Sequence, residues 1–295
     1  MITEPLLAAK KPVFEKIKFP VLATPKIDGI RCLVIGGKAL SRSFKPIPNN
    51  HIREMIERYC PEGFDGEILC GEGFNDVQSM VMKRDGTPNF RYLVFDYVQS
   101  SLIEPYSSRI QNLQGFCKQN PMVHDVVDIL IPEVANNLEE LQAIMQKHLE
   151  QGHEGTMIRD PGSPYKCGRS SLKEGYLIAI KYFEDGEAEV IGFEELMHNE
   201  NEQERDAFGN SERSSKKENM VPGNTLGALI VRKEDGTEFK IGTGQGLTKA
   251  LRQEIWDNKE KYLGKLAHYR SQPHGVKDKP RIPVWHGFRS REDIS

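Results

Sequence analysis

The chain predicts an α+β domain followed by a smaller β-rich domain, and three observations carry that prediction. Its 295 residues suffice for two compact domains at roughly 150 residues each. Residues 1–182 alternate short β-branched or aromatic runs with stretches of helical periodicity. From 183 to 295 strand and hairpin signals dominate, which sets the expected boundary between 182 and 183.

Each element follows from local pattern. CLVIGGKAL (32–40) and YLVFDYV (92–98) are apolar runs bounded by turn residues and read as strands. HIREMIERYC (51–60) and SRIQNLQGFC (108–117) carry weaker helical spacing. In 136–152, Leu138, Leu141, Ile144, Met145 and Leu149 share one helical face, with Asn137 as N-cap and Gly152 at the C-terminal end. EAEVIGF and GALIVRKEDGTEFKIGTG read as strands, the second turning at Asp235-Gly236. Between them, 195–225 is polar with almost no apolar periodicity and reads as a long loop, a length usually reserved for function or disorder. Residues 248–264 form a helix capped by Thr248 and ended by Gly264.

Composition narrows the classes. With 38% hydrophobic and 28% charged residues the chain can bury a core, which excludes a disordered tail. Forty Lys+Arg against 43 Asp+Glu give a net charge of −3, which excludes a uniformly basic protein. A nucleic-acid surface must then come from segregated charge. Residues 259–281 supply such a patch, with Lys259, Lys261, Lys265, Arg270, Lys277, Lys279 and Arg281 against only Glu260 and Asp278. No apolar run approaches a membrane span and the N-terminus lacks the pattern of a signal peptide. Cys32, Cys60, Cys70, Cys117 and Cys167 form no CxxC and the histidines form no HExxH. A soluble, intracellular protein without zinc, with no membrane partner, is expected.

The sharpest chemical signal is KIDGIR at 26–31. A lysine amine can attack phosphorus when neighbouring cations disfavour its protonated form, and Arg31 is such a cation, able also to hold a phosphate oxygen. Gly29 lets the backbone turn and approach a ligand closely. Further along come Ser41-Arg42, then Asp65-Gly66-Glu67 opening a strand, Phe95-Asp96 in YLVFDYV, Glu154-Gly155 opening EGTMIRDP, Lys181 closing YLIAIK, and PRIPVWHGFRSRED at the end.

In this order these elements resemble motifs I, Ia, III, IIIa, IV, V and VI of the covalent nucleotidyltransferases, and specifically of the ATP-dependent DNA ligases. PLLAA, FPVLATPKIDGIR, LSRSFKPIPN, YKCGRSSLKEG, IGTG and PRIPVWHGFR extend the likeness to the minimal members of that family, from Pro5 to Asp293. The resemblance implies a nucleotidyltransferase domain of ATP-grasp-like plan (1–182) and a small β-barrel OB-fold domain (183–295), with 195–225 as an insertion that clamps DNA. It implies sealing of 5′-phosphate/3′-hydroxyl nicks in duplex DNA by a monomer that closes around it, using ATP and Mg²⁺ or Mn²⁺.

The same resemblance distributes roles. Lys26 would carry AMP, with Thr24 and Ile27 beside it in the nucleotide site. Glu67 and Glu154 would serve the ribose and the divalent metal, and Phe95 would stack on adenine. Arg31 and Arg42 would meet the ribose and the nick phosphates. Lys181 would neutralise the α-phosphate oxygen that gathers charge in the transition state. Lys166, Arg169 and Lys173 would touch the 5′-phosphate strand, and Arg281, Arg289 and Asp293 would orient the departing pyrophosphate. One departure stands out: the family's fifth motif has two lysines at alternate positions, and here Ala179 takes the place of the first. An mRNA-capping guanylyltransferase and an RNA ligase share the KxDG lysine, and a nick-binding protein of weak activity is a third alternative. NAD-dependent ligation would need further domains.

Overall fold

The computed structural model describes the whole chain except residues 1, 11, 72–73, 100, 210, 215, 243, 245, 273–278 and 290–295. Two compact units divide it, Met1–Ile180 with Arg205–Ser211, and Lys181–Glu204 with Glu212–Ser295. Among the described residues no helix is long and apolar enough to cross a membrane.

In chain order the first unit runs through β1 (Leu6–Leu7), β2 (Val21–Pro25), β3 (Ile30–Ile35), β4 (Lys38–Ser41), α1 (Asn50–Tyr59), β5 (Phe64–Leu69), α2 (Phe74–Met82) and β6 (Arg91–Tyr97). It continues through α3 (Tyr106–Gln119), β7 (Val127–Ile129), β8 (Glu133–Ala135), α4 (Leu138–Glu150), β9 (Gly155–Arg159), β10 (Gly168–Arg169) and β11 (Ile178–Lys181). Two sheets result, one of order β11-β9-β2-β8 and one of order β4-β3-β5-β6-β7, while β1 pairs with β10.

Helices cover each sheet because their apolar stripes need burial. α1 starts where the Asn49 side chain accepts from the Ile52 amide, and it buries Ile52 and Ile56. These join Phe64, Tyr92, Val94 and Leu113 in the core of the five-stranded sheet. Asn137 caps α4 as expected, accepting from the Glu140 amide, and Leu141 packs with Val21, Ala23, Ala135 and Ile158 on the four-stranded sheet. CLVIGGKAL is not one strand but the β3–β4 hairpin. Gly36 and Gly37, at φ 60° and 68°, make its two-residue turn, whose left-handed pair only glycine adopts without strain.

The second unit holds β12 (Glu184–Asn199), β13 (Gln203–Arg205), β14 (Ser211–Arg213), β15 (Met220–Arg232), β16 (Glu238–Ile241), α5 (Lys249–Asp257), α6 (Lys259–Tyr262), β17 (Leu266–Gln272) and β18 (Arg281–Arg289). Its sheet has the order β16-β15-β12-β17-β18, around a core of Val190, Leu229, Val231, Ile241, Ile255 and Trp285. The expected closed barrel is not formed: among the described residues no ladder joins β16 to β18. The expected loop at 195–225 is largely β structure. β12 and β15 stay paired out to Asn199↔Met220, and β13 and β14 form a two-stranded sheet beyond them. β13 and β14 are exposed along their whole length, so these strands lack the apolar alternation by which strands are read. The helix expected at 248–264 is split into α5 and α6 at Asn258.

Candidate active site

Lys26 sits where the chain leaves one sheet of the first unit and enters the other. β2 ends at Pro25, β3 begins at Ile30, and KIDG is the crossing. The crossing is pinned by the Lys26 amide, which donates to the Gly155 carbonyl at 2.8 Å. The Lys26 ammonium donates to the Glu154 carboxylate, joining KIDGIR to EGTMIRDP. The lysine side chain is 24% exposed and the glutamate 5%, so the amine is reachable while its partner is covered. Gly29 is needed for packing rather than for a turn. A Cβ there would lie 2.4 Å from the Ile68 carbonyl and 2.7 Å from Glu67 Cγ.

That close approach brings Glu67 beside the crossing. On the β3–β5 ladder Arg31 lies opposite Glu67, and Asp65 is its diagonal neighbour. Arg31 turns to Asp65: Nε and Nη2 both donate to that carboxylate, the second at 2.6 Å. Burial pulls the guanidinium down, but Asp65 more than reverses it, and the net shift is upward. Glu67 has no such fork. Burial pushes its carboxyl up to about 7 despite the Arg31 and Lys26 cations, which pull the other way.

Phe95 is the residue left over at a bulge. Gly66 pairs with Val94 and Asp65 with Asp96, so Phe95 opposes neither. Such a bulge re-aims a side chain. The neighbouring Tyr92 and Val94 are core residues, whereas Phe95 is only half-buried, with the Arg31 and Arg159 guanidiniums 4.6 and 5.5 Å from its ring centroid.

Thr24 is buried near the end of β2, opposite Met157 of β9, and Ile27 is half-buried in the crossing. Arg42 is exposed just after β4. Lys181 ends β11, next to β9 in the sheet, and Ala179 shares its face by strand alternation. The three cations of the 166–173 segment are in unlike states. Lys166 donates to both Glu174 oxygens at 2.8 and 2.9 Å, and with the Ser171 amide and hydroxyl it holds that carboxyl down at about 2. Arg169 donates to the Ala8 carbonyl at 2.5 Å, and Lys173 is exposed. In the second unit Arg289 donates to Glu187 at 2.6 Å. Asp293 lies outside the described residues.

The sequence reading assigned no role to a buried charge cluster beneath Phe95. Asp96 holds Arg109 through two bonds of 2.7 and 3.1 Å and also accepts from Arg159, all three being buried. Burial would push the Asp96 carboxyl up, but the two arginines bring it below the usual range. The signal was present in α3: Tyr106, Arg109, Ile110, Leu113 and Cys117 are its buried stripe, and an arginine in such a stripe demands a buried partner.

Residues 1–174 match the family model of the ATP-dependent DNA ligase domain, and residues 219–289 that of a DNA ligase OB-like domain. The chain belongs to the ATP-dependent DNA ligases. A crystal structure of Chlorella virus DNA ligase-adenylate is 37% identical to this ligase, covering 98% of its chain and all of the other at a TM-score of 0.60. The DNA ligase of Haemophilus influenzae is 26% identical over 229 residues, which are 76% of this chain and 72% of that one. A structure from a study of DNA binding by Lig E ligases, at 22% identity and a TM-score of 0.72 over 98% of this ligase, shows the shared fold. The activity that follows from membership is ATP-dependent DNA ligation.

Proposed function

We propose that this ligase joins a 3′-hydroxyl to a 5′-phosphate at nicks in duplex DNA, acting as a monomer through AMP carried on Lys26. The observation that carries the residue assignment is the Lys26–Glu154 pair at the crossing between two sheets. The Lys26 amine loses its proton and attacks the α-phosphorus of ATP; a phosphoramidate bond forms and the bond to pyrophosphate breaks. AMP then passes to the 5′-phosphate of the nick, freeing the lysine. The 3′-hydroxyl attacks that phosphorus, sealing the strand and expelling AMP. Each step is an in-line transfer, so positioning and charge neutralisation supply most of the catalysis.

Phe95 offers an aromatic face to adenine. Arg31, held in one orientation by Asp65, presents its remaining N–H groups to a phosphate oxygen. Lys181 meets charge on the transferred phosphoryl group, and Arg42, Lys166, Arg169 and Lys173 meet the DNA backbone.

Among the described residues no group of three or more His, Cys, Asp or Glu side chains could hold a metal. A catalytic Mg²⁺ or Mn²⁺ does not require one, being bound by one or two carboxylates with water and substrate phosphates. Glu67 and Glu154 fit that role, Glu67 especially, because a carboxyl raised to about 7 gains from a nearby cation. Bound there, the ion would spread the charge of the phosphate oxygens.

Incubation with labelled ATP or GTP, followed by nick sealing, tests the reading. ATP alone is expected to label the native protein. Lys26→Ala should lose labelling and sealing of a 5′-phosphate nick, yet still seal pre-adenylated DNA slowly. Labelling by GTP would favour a capping guanylyltransferase, and labelling of Lys26→Ala would remove this lysine from the role.

A further inference from the structure

The Asp65 carboxylate has a second side-chain partner, one that belongs to none of the nucleotide motifs. The Tyr165 hydroxyl donates to Asp65 Oδ2 at 2.7 Å, and the hydroxyl oxygen in turn accepts from the Leu6 amide at 3.2 Å. Tyr165 is 1% exposed and packs with Leu6, Leu33 and Leu177. Its phenol therefore has no solvent to exchange with, and both bonds are needed to satisfy buried groups.

The consequence lies in what the two ends of this chain of bonds carry. At one end Asp65 orients the Arg31 fork beside Phe95 and Glu67. At the other, Tyr165 opens the segment that bears Lys166, Arg169 and Lys173, and that segment is tied back to β1. Leu6 pairs with Gly168 and Leu7 with Arg169, Ser170 donates to the Leu7 carbonyl at 2.8 Å, and Arg169 donates to Ala8. A carboxylate held only by Arg31 could swing with it, since two oxygens and one fork rotate together. A fixed phenol on Oδ2 removes that freedom.

We propose that Tyr165 is a positioning residue for Arg31, its hydroxyl locking Asp65 so that the phosphate-holding guanidinium and the basic 166–173 segment keep one geometry. This rests on the reading of Arg31 as a phosphate contact. Displacing such a group by about 1 Å costs on the order of a hundredfold in rate.

The test is single-turnover sealing of a saturating nicked duplex by preformed enzyme–AMP. Tyr165→Phe, which deletes one oxygen, should seal at least tenfold more slowly than the native enzyme. 4-Fluorophenylalanine at 165, which fills the hydroxyl's space without a donor, should be as slow and keeps the variant packed if phenylalanine does not. The double variant Tyr165→Phe/Arg31→Ala should be no slower than Arg31→Ala alone, because a residue acting through Arg31 has nothing left to position. Tyr92→Phe, which removes another buried hydroxyl, from the Cys32 carbonyl at 2.9 Å, should seal at the native rate. Native-rate sealing by the 4-fluorophenylalanine enzyme overturns the proposal, as does multiplication of the Tyr165 and Arg31 losses. If Arg31→Ala itself seals at the native rate, the phosphate reading of Arg31 falls, and a slow Tyr165→Phe beside it overturns the positioning role too.

Discussion

Glu67 and Ala179 are the single residues whose chemistry most departs from a generic site. Glu67 has a folded-state value near 7 against an ordinary 4.5, because burial disfavours its charge more than Arg31 and Lys26 favour it. The native state therefore binds more protons than the unfolded chain between those values. Its contribution to stability is present below about 4.5 and is lost as pH rises through about 7. The loss is up to about 3 kcal/mol for a fully buried group and less here, where Glu67 is half-buried. Glu67→Gln should accordingly flatten the fall in thermal midpoint between pH 5 and 8, and Mg²⁺ should raise the midpoint of the native protein at pH 8 but not that of the variant. Parallel midpoint-against-pH curves for the two proteins would show that Glu67 does not titrate there. Ala179 removes one of two cations expected on the face of β11 that ends in Lys181, and a single preorganised charge contact is worth roughly 10²–10³ in rate. Arg169 and Lys173 are the candidates to replace it, and Arg169 is already spent on the Ala8 carbonyl while Lys173 is exposed. Ala179→Lys should then change sealing little and Lys173→Ala should be severe. A tenfold faster single turnover in Ala179→Lys would refute compensation.

At the scale of elements, the ribbon formed by β12 to β15 carries the clearest prediction. Its outermost β12–β15 pair is Asn199↔Met220, and Leu226 further in is already core. Removing 195–225 would strip the ladder back to Leu226, whereas replacing 200–219 by a short turn leaves every β12–β15 pair intact. This shorter deletion should weaken binding to nicked DNA while labelling of Lys26 by ATP is preserved, since no motif of the nucleotide site lies within it. Affinity unchanged at one fixed salt concentration would make the ribbon a passive feature. The ribbon also marks where the sequence ceased to be legible. α4 was readable because a cap announced it, β6 because an apolar run is bounded by turn residues, α1 only through weaker helical spacing, and the Asp235-Gly236 hairpin because its turn has a signature. Strands exposed along their whole length, as β13 and β14 are, announce nothing. The two glycines that turn β3 into β4 were legible as a turn, yet were passed over inside an apolar run. In the site, the order of motifs pointed to Lys26, Glu67, Phe95 and Glu154, which the fold gathers near the crossing. The Asp96–Arg109–Arg159 cluster and the Tyr165–Asp65 bond join residues 13 to 100 positions apart; the α3 stripe signals that Arg109 needs a buried partner, but no local pattern says which.

For the whole molecule, the question is what the second unit contributes to a reaction whose proposed nucleophile lies in the first. Lys26 belongs to Met1–Ile180 and Arg289 to the unit that begins at Lys181. Arg289 is half-exposed and bonded to Glu187 on its own sheet. An ion pair that open to solvent is worth about 0–1 kcal/mol, so Glu187 holds the guanidinium without withdrawing it from a stronger anion. Pyrophosphate is such an anion: a guanidinium fork binds its oxygens at least as well as a carboxylate. Pyrophosphate departs only when ATP reacts with Lys26 and plays no part in sealing DNA that already carries AMP. Arg289→Ala should therefore depress labelling by ATP, roughly tenfold or more for the loss of one charge-assisted contact worth about 1.5–3 kcal/mol, while sealing of a pre-adenylated nick stays within a few-fold of native. The two assays on one preparation separate this role from a general loss of fold, which would lower both alike. Equal losses would instead place Arg289 at the DNA, where every nick, adenylated or not, needs its charge.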